Sequence, residues 1–275
     1  MLKLSAILFL IIFLNGNAAA QKPEKPWVEW SPKEAQKILD DSPWGRTQTE
    51  TDTSEMFYSP TATPVTSSAN STTQDRAAQG ATNQATSVKF RIRFFSARPI
   101  RQAFVRLLES QNQLDKARTE KMRAWAELHT DEYIIVAVNY EATDRRYLGR
   151  VDQAFESAVT AVLKDSTYLE RKDGKRLFLS EYRPPRKDGF GAHFIFPRML
   201  DGKPFLTADS GSVRFHSEYQ NPSTLDPALN SNGQSSRTGI SRQSSSSIQP
   251  GSPFKFKLDM RFKVSEMMYG GVLEY

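Results

Sequence analysis

Val88-Lys89-Phe90-Arg91-Ile92-Arg93-Phe94 is the stretch on which the reading of this chain turns. Apolar and basic side chains alternate in it with a period of two. A strand would therefore carry Val88, Phe90, Ile92 and Phe94 on one face and Lys89, Arg91 and Arg93 on the other. The same alternation returns late in the chain, where Phe254, Phe256, Leu258, Met260, Phe262 and Val264 interleave with Lys255, Lys257, Asp259, Arg261 and Lys263. Laid side by side, the two strands would make one basic sheet face, with Arg91, Arg93, Lys255 and Lys257 as candidate binding residues.

Between these strands the period changes. Pro99 opens a helix with Ile100, Ala103, Phe104, Leu107 and Leu108 on one face, and a second amphipathic stretch through Leu114, Ala117, Trp125 and Leu128 continues it after a break near Asn112. Residues 133–140 are apolar enough for a central strand covered on both sides. Strand, helix, strand at this length predicts a right-handed crossover and a parallel pair. Leu148, Val151, Phe155, Ala158, Val159 and Val162 mark a further helix. Hairpins follow: residues 168–171 and 176–182 flank the tight-turn signal Asp173-Gly174, and residues 191–196 and 213–219 read as strands. The expected fold is α+β, a mixed, mainly antiparallel sheet with two or three helices on one face.

Residues 59–86 and 220–253 are rich in Ser, Thr, Asn and Gln and poor in apolar side chains, so both read as disordered. They divide the chain into an N-terminal arm at 21–58 and a single domain at 87–275 with an insertion. Within the arm, Ser31-Pro32-Lys33-Glu34 spells a capping box with proline at the first helical position. The arm also holds Trp27, Trp30 and Trp44, three of the four tryptophans. Side chains that large need a surface to dock on, either the protein's own core or a partner.

Residues 1–20 follow the plan of a secretory signal: Lys3, an apolar run at 4–14, and Ala18-Ala19-Ala20 at the cleavage site. The run is roughly half of what a spanning helix needs, so cleavage before Gln21 is expected, with a periplasmic or secreted product and no transmembrane segment in the mature chain. Cysteine is absent, which excludes lipid attachment, disulfides, thiol catalysis and cysteine-ligated metals. The formal charge is +6, a modest excess. In an exported protein it suits an anionic envelope component or an acidic protein face better than nucleic acid, and it also serves solubility.

Motifs that would announce chemistry are missing. His129, His193 and His216 are the only histidines, none at metal-ligand spacing, and no H-E-x-x-H, G-x-S-x-G or phosphate-binding glycine motif occurs. No metal or cofactor is expected. Ser252-Pro-Phe-Lys255 has S-x-x-K spacing but lies beside the polar insertion and contains Pro253. Asp152 with Glu156, and Asp131 with Glu132, are acidic pairs of the kind that solvated faces carry. Gly270 to Tyr275 ends like the closing strand of an outer-membrane barrel, yet amphipathic helices and lysine-bearing strands argue against a barrel. His193 and His216, on predicted strands, are the one pair able to seed a hydrolytic site.

Trp27-x-x-Trp30-Ser31, Ile38-Leu39-x-x-Ser42-Pro43-Trp44, residues 93–101 from Arg93-Phe94-Phe95 to Ile100-Arg101, and residues 167–176 around Asp173-Gly174 together resemble an uncharacterised family of exported proteins from Acidobacteria-like bacteria. The resemblance spans most of the ordered chain and implies compartment and a single-domain design, with no assigned activity. The Gly-Trp-x-Thr-Asp motif of other exported proteins from those bacteria is absent. The expected function is therefore non-catalytic surface binding in the envelope or outside the cell, through the tryptophan arm or the basic face. The alternative is an exported hydrolase with its site near His193 and His216.

Overall fold

The computed structural model describes residues 25–52, 86–111, 115–130, 132–143, 145–186, 189–220 and 255–275. The expected leader, residues 59–85 of the first polar tract and residues 221–253 of the second lie outside the described residues, as do Asn112, Asp131 and Ser252. The strands are, in chain order, β1 (Gly45–Asp52), β2 (Thr86–Phe94), β3 (Tyr133–Ala142), β4 (Thr167–Arg171), β5 (Arg176–Phe178), β6 (Glu181–Arg183) and β7 (Ala192–Pro197). Then come β8 (Met199–Leu200), β9 (Lys203–Pro204), β10 (Ser212–Gln220), β11 (Lys255–Lys263), β12 (Met268–Tyr269) and β13 (Val272–Leu273). The helices are α1 (Pro32–Asp40), α2 (Arg98–Ser110), α3 (Lys116–Glu127), α4 (Arg145–Ser157) and α5 (Thr160–Leu163).

Two sheets stack face to face, one ordered β1-β2-β3-β7-β6 and the other β11-β10-β4-β5. Alternation decides what meets between them. Phe90 stacks on Phe256 at 5.2 Å, Phe94 meets Phe262 edge-on at 4.9 Å, and Phe194 meets Phe215 at 5.1 Å. Helix α4 closes one end of this core with Phe155, which packs on Phe90, Tyr140, Tyr219 and Phe256. Residues after β11 close the other end, with Val264, Met267 and Tyr275 buried. At the seam between the sheets, the Gln48 side chain on β1 donates to Lys257 O at 2.6 Å and accepts from Asp259 N at 2.8 Å, standing in for a strand along the edge of β11. Helices α1, α2 and α3 cover the outer face of the five-stranded sheet. The class is α+β with mainly antiparallel sheet.

Three expectations are corrected. The pairing of β2 with β3 is antiparallel, because two helices rather than one intervene. After α2 the chain returns along α3, so β3 starts at the end where β2 stopped and runs back. The basic strands do not share a face. β11 pairs with β10 in the second sheet while β2 lies between β1 and β3 in the first, so Arg91 and Lys257 stand on opposite outer faces with the aromatic core between them. The arm also contains a strand the sequence reading missed: β1 pairs with β2 over its whole length.

Candidate functional site

The outward side chains of β2 lie under α1 and α2, and there they form the floor of a cleft of about 670 Å³. Arg91 and Arg93 from β2 and Asn139 from β3 provide the floor, Asp40 the rim, and Leu39, Phe104 and Leu107 apolar walls.

Helix α1 is placed over this floor by its two ends. The capping box is formed as its sequence predicts, with Ser31 accepting from Glu34 N and Glu34 accepting from Ser31 N. The other end finishes on Asp40 and Asp41, carboxylates at the negative end of the helix dipole, an arrangement that costs stability unless a cation answers it. Arg93 is that cation. Its Nε donates to Leu39 O at 2.8 Å, closing an open carbonyl of the last turn, and its Nη2 donates to Asp40 Oδ1 at 2.9 Å. The remaining nitrogen, Nη1, donates to Asn139 Oδ1 at 3.0 Å. Asn139 in turn donates to Gly189 O at 2.9 Å, which ties the loop before β7 to the cleft. Arg93 is 8% exposed, and burial lowers its affinity for a proton below the ordinary guanidinium value while Asp40 opposes that shift.

Two glycines make this geometry possible. A Cβ on Gly45 would sit 2.5 Å from Leu39 O, so only glycine lets the chain turn from α1 into β1 beneath the helix end. A Cβ on Gly191 would lie 2.3 Å from Val138 O, and its φ of +82° is itself a glycine conformation.

Arg91 differs from its neighbour. Its Nε lies 3.3 Å from Asp40 and its Nη2 2.8 Å from Glu141, and its Nη1 makes no hydrogen bond to a described residue. Its side chain keeps 23% of its surface open to the cleft. One arginine therefore builds the site and the next faces what enters it.

The other candidate residues lie elsewhere. Trp30 and Trp44 are buried, and Trp27 is half-buried with its indole donating to Glu127, so the arm docks on the protein's own core. Trp44 Nε1 donates to Glu274 O at 2.9 Å and its ring meets Tyr269 edge-on. These indoles are structural contacts, not a free binding surface. Lys257 projects from the outer face of the second sheet and pairs with Asp259 at 3.2 Å, and Lys255 is described there by its backbone alone.

His193 packs against Phe95 on the helix-covered face of the first sheet, whereas His216 stacks on Tyr168 on the outer face of the second. The whole core separates them, so they cannot assemble one hydrolytic site. Asp152 is taken up by Tyr140, whose hydroxyl donates to it; burial first, and this carboxylate second, raise the Tyr140 hydroxyl well above the ordinary phenol range. His129 lies 3.8 Å from the buried Glu274.

The sequence reading missed Asp40 and Asn139 as site residues. Two aspartates ending a helix were the available signal for Asp40. Nothing local marked Asn139, whose role depends on the register of β3 against β2.

No protein-family model matches the chain, and neither a curated protein nor a solved structure shows significant similarity to it. Among the described residues, no helix is long and apolar enough to cross a membrane, and no cluster of His, Asp and Glu is arranged to hold a metal.

Proposed function

We propose that this is an exported, non-catalytic binding protein whose ligand enters the cleft between α1, α2 and the outer face of β2 and β3. One observation carries the reading: a cavity in the size range of small-molecule sites, about 300–1,000 Å³, has an arginine facing into it and a buried arginine, an aspartate and an asparagine fixing its floor. The wall residues named above are apolar, and the polar groups are few and tied down, as ligand recognition requires. Among the described residues the lining holds no hydroxyl, thiol or imidazole group, and Asp40 is engaged by both arginines and by Gln36. Export follows from the signal-like residues 1–20, and the resemblance to exported Acidobacteria-like proteins points to the same compartment.

The test is native mass spectrometry of the protein purified without denaturation from the cells that produce it, beside a cleft-filling variant, Leu107→Trp, whose fold is checked by circular dichroism. The expected result is a small-molecule adduct on the wild type that the variant lacks. A wild type without adduct, or an adduct kept by the filled cleft, would overturn the reading.

A further inference from the structure

We infer that the cleft takes a monoanionic amphiphile, a carboxylate on a hydrocarbon body, with Arg91 as the receptor for its charge. This assignment rests on the binding reading above and adds the chemistry of the ligand. Three observations meet in it.

The first is charge balance. Among the described residues, the cleft is lined by two arginines, Arg91 and Arg93, and one carboxylate, Asp40, while Glu141, which also pairs with Arg91, stands half-exposed outside the lining and is shared with Lys89. The lining itself therefore carries one more cation than carboxylate, and an anion inside the cleft would answer Arg91 where Glu141 does so only from the half-exposed rim. The second is the direction of that charge. Arg93 spends all three nitrogens on protein acceptors, whereas Arg91 retains Nη1 and a partly open side chain, so an anion meets Arg91. Its edge can present two parallel N–H groups to a carboxylate if the ligand displaces or shares Glu141, itself half-exposed.

The third is the apolar wall. Phe104, Leu107 and Leu108 line the cleft from α2, and Phe104 continues into an aromatic cluster in which Phe190 lies 4.3 Å from it and Trp125 a further 5.8 Å on. A simple inorganic anion would leave that wall unused. A neutral hydrocarbon would leave the charge unanswered.

The test is isothermal titration of the mature chain with sodium octanoate, octanol, octylammonium and acetate as probes. Octanoate is expected to bind at one site per chain, with octanol weaker by on the order of tenfold and acetate and octylammonium weaker still. Arg91→Gln should lose on the order of tenfold for octanoate and nothing for octanol, while Arg91→Lys retains part of the difference. Octanol or octylammonium binding as tightly as octanoate, or Arg91→Gln binding octanoate like the wild type, overturns the assignment. Failure of the two ideas is distinguishable: a neutral or cationic adduct in the native spectrum, lost in Leu107→Trp, keeps the cleft as the binding site and removes the carboxylate.

Discussion

Arg91 and Arg93 are two residues apart on one strand and look interchangeable in the sequence, yet replacing each by methionine should cost very different amounts. Arg93→Met removes three hydrogen bonds of 2.8 to 3.0 Å and strands the buried Leu39 carbonyl at the end of α1. Breaking a buried charged pair costs about 3–5 kcal/mol. Asp40 keeps Gln36 and Arg91 as partners, so the lower end applies, about 3 kcal/mol. Arg91→Met breaks two pairs that water also reaches, worth about 1 kcal/mol or less. Urea unfolding followed by tryptophan fluorescence measures both, and the denaturant slope should stay the same in the two variants. Amide exchange should also quicken at residues 35–39 in Arg93→Met alone. Equal costs for the two variants, or a cost below about 1 kcal/mol for Arg93→Met, would refute the claim that Arg93 anchors α1 over the cleft.

Three further outcomes are expected. Trp44→Phe keeps the aromatic packing but leaves Glu274 O without its indole donor, and should lower unfolding free energy by about 1–3 kcal/mol in the same assay. Arg214 first, with Lys257 assisting, holds the Asp259 carboxyl down at about 2. Since its folded value lies below the ordinary one, the stability it contributes is present above about pH 4 and lost as pH falls toward 2, so Asp259→Asn should flatten unfolding curves over that window. Deleting residues 21–53 removes α1, β1 and the Gln48 seam together, and circular dichroism should show loss of cooperative unfolding rather than a trimmed, stable domain.

Local pattern made much of this fold legible. The capping box at Ser31, the turn at Asp173-Gly174, the apolar run of β3 and the alternation of β11 each depend on neighbours in sequence, and the structure has them where the pattern puts them. What the sequence hid is non-local. β1 reads Gly-Arg-Thr-Gln-Thr-Glu-Thr-Asp, with no apolar side chain; of its inward residues Arg46, Gln48 and Glu50, the last two face the seam at the sheet edge rather than the core. The antiparallel turn of β3 followed from the break between α2 and α3, a count of helices rather than a propensity. Basic residues on β2 and β11 were visible, but which sheet each strand joined was not. Half of the supposed basic face therefore became the floor of a cleft and the other half an open surface.

The most direct measurement of the central claim is nitrogen and proton chemical-shift mapping of the mature protein titrated with octanoate. The account predicts changes confined to the Arg91 Nε, the Asn139 side-chain amide and the backbone around Phe104, Leu107 and Gly189, with Tyr168 and Lys257 silent. Shifts gathered on Tyr168 and Lys257, with the cleft unchanged, would contradict it.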